Sequence, residues 1–176
     1  MSPVRQKNHR LASNEIHRWW EEHCALLPHR GRNLWELDES EIASANTALT
    51  ELSVRTASKR GEEQQVISVG PTGAAKVLFA LRPRALPPWD NLIRVALGYA
   101  SRQDGYQAYL LDTKSLLLKL AASCEKAGFP LEQLPSQLGQ AEATVPKLID
   151  EYYWMTITRG YRVPDSATWR RWLQWG

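Results

Sequence analysis

Along most of the chain, apolar residues recur at intervals of three and four, the spacing of a helix with one buried face. Residues 14–27 place Ile16, Trp19, Trp20 and Cys24 on such a face, with Ser13 as N-cap. Residues 38–56 repeat the pattern with Ile42, Ala45, Leu49 and Leu52. Further helices are predicted over 106–126, partly burying Leu110, Leu111, Leu117, Leu118 and Leu120, over 145–158, and over 167–175. The first eleven residues are basic and polar and read as a loose arm, and 129–143 reads as a polar connection. No segment alternates apolar and polar residues as a half-buried strand does, so every predicted element is helical. The expected fold class is all-α, in a single compact domain spanning 1–176.

The stretch 62–99, EEQQVISVGPTGAAKVLFALRPRALPPWDNLIRVALGY, carries the most information. It reads as three short helices, 62–68, 73–81 and 91–99. Gly70-Pro71 forces a turn after the first. Thr72 is placed to cap the second, which has Ala74, Val77, Leu78 and Leu81 on one face. Pro83 ends that helix, Pro87-Pro88 impose an extended approach, and Trp89-Asp90 open the third. Helix, tight turn and helix make a helix-hairpin-helix, whose turn directs free amides and a helix dipole toward one spot suited to a phosphate. Asp90 stands where a carboxylate is favoured, at a helix start; a cap is the simplest role for it.

Composition adds limits. The chain has 176 residues and a formal net charge of +3, which permits nucleic-acid binding without demanding it. Two cysteines, Cys24 and Cys124, are too few for an iron–sulfur cluster and read as free thiols of a reducing cytoplasm. No apolar run has the length of a membrane span and no secretory leader opens the chain, so a soluble cytoplasmic monomer is expected. The four histidines show no metal-ligand spacing, and no metal site is expected. P-loop, dinucleotide and nucleophile-elbow signatures are missing from the sequence. Eight tryptophans against two phenylalanines supply aromatic surface, and core packing is the simplest role for each.

The 62–99 core resembles that of the helix-hairpin-helix base-excision DNA glycosylases. Ser68-Val69-Gly70 matches the end of the family hairpin, and Asp90 follows Gly70 by twenty residues, the family interval. Ala74 and Ala75 fall at the family's small helix-packing positions, and Asn91-Leu92-Ile93-Arg94-Val95 matches its polar-then-apolar run after the Asp. Ser68 replaces the first hairpin glycine, and Thr72 stands where bifunctional members carry a nucleophilic lysine. The resemblance implies two helical subdomains around a cleft, the second formed by pairing of the N- and C-terminal helices. It implies a monofunctional glycosylase that binds double-stranded DNA, flips a nucleotide and hydrolyses its N-glycosidic bond, with Asp90 catalytic. Val69, Gly70, Thr72, Gly73 and Lys76 would contact the backbone, with no cofactor beyond a monovalent cation on the hairpin. Lys76 is equally well read as a surface residue. Trp89, Trp19, Trp20, Tyr152, Tyr153 and Trp154 are the candidates for a base pocket. A further resemblance is to bacterial anti-phage glycosylases that excise glucosylated hydroxymethylcytosine, which would place the protein in antiviral defence. The rival readings are a non-catalytic helix-hairpin-helix DNA-binding protein and a Trp-rich helical protein-interaction module.

Overall fold

Asp38 starts the helix that the core is built on. Its carboxylate accepts from the Glu41 amide at 2.8 Å while the Glu41 carboxylate accepts from the Asp38 amide at 2.9 Å, a reciprocal cap. Helix α2, Glu39–Ser53, follows and buries Ile42, Ala45, Ala48, Leu49 and Leu52. The structure is a computed structural model and describes residues 3–61, 63–99 and 104–163. Helix α1, Pro3–His23, precedes α2 and continues through 3-10 turns at Cys24–Leu26 and Leu34–Glu36. Trp19 of α1 is fully buried and donates its indole N–H to the Ala48 carbonyl at 3.0 Å, fastening α1 to α2. The expected loose arm is therefore helical from Pro3, and Ser13 lies inside α1 instead of capping it. Pro3 suits the first turn of a helix, and residues 4–12 contain no glycine or proline to interrupt it.

The larger correction concerns the segment before Gly70. Residues 63–68 do not form the expected helix: Thr56–Arg60 (β1) and Gln65–Ser68 (β2) pair as an antiparallel hairpin. Gly61 and Gln64 turn the chain with positive φ, and β-branched Thr56, Val66 and Ile67 favour the extended form. Strand β2 is exposed throughout, while β1 packs on α1 with Thr56, Ala57 and Ser58 all partly buried and is irregular between Thr56 and Ser58, so neither shows the alternation of a half-buried strand. The fold is mostly helical with one two-stranded sheet, and the element entering the Gly70 turn is a strand.

Helix α3, Gly70–Leu81, begins at that turn, where Gly70 has φ +70° and the Val69 amide donates to the Arg55 carbonyl at 2.8 Å. Thr72 lies within the first turn of α3 and caps nothing. Ala74, Ala75 and Leu78 bury against α2. At the far end, buried Arg82 donates to the Pro28 and Leu81 carbonyls, and desolvation lowers its pKa. Helix α4 is short, Asn91–Ala96, and α5, Gly105–Lys126, crosses the core with Tyr106, Tyr109, Leu110 and Leu117 buried. Leu118, expected to be partly buried, faces solvent. The connection after α5 holds a 3-10 turn at Leu131–Gln133 and a short helix α6, Leu134–Gln137. Helix α7, Val145–Tyr153, runs into a π-helical turn, Trp154–Thr158. The predicted 167–175 helix, and with it the pairing of the chain ends, lies outside the described residues.

Between α3 and α4 the chain passes through Pro87-Pro88-Trp89, all buried. Two tyrosines of α5 hold it: Tyr106 donates to the Pro87 carbonyl at 3.2 Å and Tyr109 to the Pro88 carbonyl at 3.3 Å. The Trp89 ring lies against both tyrosine rings, with centroids 5.4 Å and 6.4 Å away. Gly105, first residue of α5, makes this fit possible, because a Cβ there would lie 2.5 Å from the Tyr99 carbonyl oxygen and 3.1 Å from the Trp89 ring. Gly105→Ala should therefore lower stability by about 1–3 kcal/mol through overpacking, although alanine is the better helix former. Urea unfolding of the two proteins measures it; an unchanged or raised midpoint would show that the contact is slack.

Candidate functional site: a lysine- and aspartate-lined cleft

Asp90 is presented by the Pro87-Pro88-Trp89 strap at the head of α4. One carboxylate oxygen accepts from the Leu92 amide at 2.9 Å, so the residue does cap α4. It is half-buried, and it also lines a cleft of about 340 Å³ with Lys76, Phe79, Pro88, Lys147, Asp150 and Trp154. Three segments build that cleft: α3 supplies Lys76 and Phe79, the strap supplies Pro88 and Asp90, and α7 with its π turn supplies the rest. Helix α4 packs against the π turn, which closes the far wall. Here the turn carries Trp154, whose ring is 40% exposed and has the Arg159 guanidinium 4.6 Å from its centroid.

A second chamber of about 490 Å³ adjoins the first, sharing Lys147, Asp150 and Trp154 and adding Gln140, Glu151 and Met155. The size of each falls in the range of small-molecule sites. Lys147 spans a pair of carboxylates, with its ammonium 2.8 Å from Asp150 and 3.7 Å from Glu151. Lys76 is exposed and, among the described residues, makes no hydrogen bond or ion pair. The two chambers thus hold two ammonium groups and three carboxylates.

Of the residues singled out from the sequence, Asp90, Lys76 and Trp154 meet in this cleft. Val69, Gly70, Thr72 and Gly73 sit together at the joint between β2 and α3, one to two turns before Lys76. The other aromatic candidates lie elsewhere. Trp19 is core. Trp20 packs half-buried beside Arg82, whose guanidinium is 5.8 Å from its ring. Trp89 is buried behind Asp90, with the Arg94 guanidinium 5.3 Å from its ring, and so supports the site from behind. Tyr152 is exposed and Tyr153 packs on the core, neither lining the cleft. Lys147, Asp150, Glu151 and Gln140 were not singled out. Their signal was available in part, since positions 147, 150 and 151 share one helix face.

Among the described residues no group of three or more His, Cys, Asp or Glu is arranged to hold a metal ion, and no helix is long and apolar enough to cross a membrane. Compared with protein-family models, curated proteins and solved structures, the chain matches none of them.

Capping and charge at Asp90 can be separated. Asparagine retains the acceptor that caps α4, so Asp90→Asn should leave stability within about 0.5 kcal/mol, whereas Asp90→Ala should cost about 1 kcal/mol. Chemical denaturation of both variants checks this, and equal losses would mean that the carboxylate's charge, not its hydrogen bond, stabilises the fold.

Proposed function

We propose that the protein is a monofunctional DNA glycosylase, with Asp90 as its catalytic carboxylate. The observation that carries this reading is the meeting of Asp90, Lys76 and Trp154, from three separate segments, on one cleft. Hydrolysis of an N-glycosidic bond leaves positive charge on the sugar, and a fixed carboxylate beside C1′ stabilises it. The strap and the Leu92 amide hold Asp90 in place without consuming its charge. A flipped base needs a stacking surface in a pocket, and the exposed Trp154 face provides one. Lys76 is assigned to the phosphate flanking the flipped nucleotide, and the opening of α3 from Val69 to Gly73 to the backbone beyond it. This makes the proposed DNA-facing element a strand–turn–helix in place of two helices.

The second chamber favours a base with a bulky substituent. Gln140, Asp150, Glu151 and Lys147 offer donors and acceptors around the Trp154 ring, which suits a sugar such as that of glucosylated hydroxymethylcytosine. An anti-phage role follows from that substrate. The hydrogen bond from Leu92 to Asp90 favours a second reading, a non-catalytic DNA-binding protein in which Asp90 is a cap alone.

Base release from duplexes carrying uracil, 8-oxoguanine or glucosylated hydroxymethylcytosine, read by mass spectrometry, decides between the two. Wild type should release one of these bases. Asp90→Asn should lower the rate by about a hundredfold or more while leaving DNA binding nearly unchanged. Wild-type turnover in the Asn variant would make Asp90 structural.

Strand cleavage should not follow excision. β-Elimination needs an amine that forms a Schiff base at C1′, and Thr72 offers a hydroxyl where lyase-competent enzymes have that amine. Borohydride should trap no adduct with wild type or Lys76→Ala. An adduct lost on Lys76→Ala would instead make Lys76 the nucleophile.

A further inference from the structure

Asp150 is unusual for a residue on a helix surface. It sits in the interior of α7, where aspartate is a poor helix former, and its side chain is only 14% exposed. Burying a carboxylate is costly unless a partner compensates, and Lys147 does so at 2.8 Å. An ordinary surface pair three residues apart would gain only a few tenths of a kcal/mol and would not need to be sunk into a cavity wall. Asp150 lines both chambers, so it stands where the two spaces join. It is also close enough to Tyr109 for its charge to add to the burial that raises that phenol's pKa. Tyr109 in turn holds the Pro88 carbonyl, two residues before Asp90. Asp150 and Asp90 therefore line one cleft from two different segments, α7 and the strap before α4.

From this placement we propose that Asp150, oriented by Lys147, is the second working carboxylate of the cleft and activates the attacking water. The inference rests on the glycosylase reading and assigns it a residue the sequence did not indicate. Asp90, with one oxygen tied to a backbone amide, faces the sugar cation. The C1′–N bond breaks with its electron pair leaving on the base. The water oxygen bonds to C1′ and gives a proton to Asp150, which returns it to the departing base. The products are the abasic sugar and the neutral base, and both carboxylates end as they began.

The test uses the full chain and the duplexes named above, with Asp150→Ser, Asp90→Asn and added sodium azide. Azide is already an anion and attacks C1′ without giving up a proton, so it replaces the water and its base together, and the departing base takes its proton from solvent. Asp150→Ser should lose about a hundredfold in excision rate, within the span of a general base. Azide should restore a large part of that loss and yield a 1′-azido sugar detectable by mass spectrometry. Asp90→Asn should gain nothing from azide, because the cation itself lacks its support. If Asp150→Ser does not fold, as judged by its thermal melt, Asp150→Asn takes its place, being close to isosteric and equally unable to accept the proton. Wild-type excision by the variant would overturn the inference and leave the glycosylase reading standing. A slowed variant that azide does not rescue would also overturn it, making Asp150 part of a structural ion pair. If wild type releases no base from any duplex, the glycosylase reading fails and this assignment with it.

Discussion

Two tyrosine hydroxyls hold the segment on which the cleft depends. Pro87 and Pro88 have no N–H to pair, so each of these two residues can be fixed through its main chain only by its carbonyl. Tyr106 and Tyr109 supply donors from α5, and Trp89 packs against both of their rings. Burial keeps both phenols protonated, because desolvation pushes their pKa values up, and a phenolate could not donate. The position of Asp90 is thereby set by α5, a long helix anchored in the core, and not by the short α4 that it caps. This makes the head of α4 rigid even though a six-residue helix has little stability of its own.

The opposite wall of the cleft has a different origin. Helix α7 buries Val145, Pro146 and Ile149 and turns Lys147, Asp150 and Glu151 toward the chambers. Thr144 fastens its start, donating to the Pro83 carbonyl at 2.8 Å, so α7 is tied to the end of α3. One cleft wall is thus linked by hydrogen bond to the helix that carries Lys76. The π turn that follows Tyr153 packs against α4, and its first residue, Trp154, lines the cleft.

Much of this was legible in residue patterns, for physical reasons that differ by element. Gly70 was readable because a Gly-Pro turn allows few backbone solutions, and φ +70° is one that glycine accepts. The α2 and α5 helices were readable because each buries a continuous stripe. The β1–β2 hairpin was not, since β2 is exposed throughout and β1 is partly buried at three consecutive residues, so neither leaves a period-two trace. Trp19 and Trp154 could not be told apart by spacing. What separates them is a partner 29 positions away, the Ala48 carbonyl that takes the Trp19 N–H, and such a partner is a property of the fold. Lys147 and Asp150 were hidden by the same limit, because an ion pair three residues apart reads as an ordinary solvated face until a cavity is seen beside it.

In the proposed reading, Asp90 carries a structural duty and a chemical one together. Capping asks only for an acceptor oxygen in line with an amide, and the Leu92 N–H takes up one oxygen of the two. Stabilising a sugar cation asks for net negative charge at a fixed distance, which the hydrogen bond leaves in place. The first demand improves the second, since a capped carboxylate has fewer rotamers to sample and costs less to hold in position. A cap placed by a buried Pro-Pro strap is therefore what a preorganised anion requires. The bland reading of Asp90 and the catalytic one then differ only in whether a substrate sugar reaches the other oxygen.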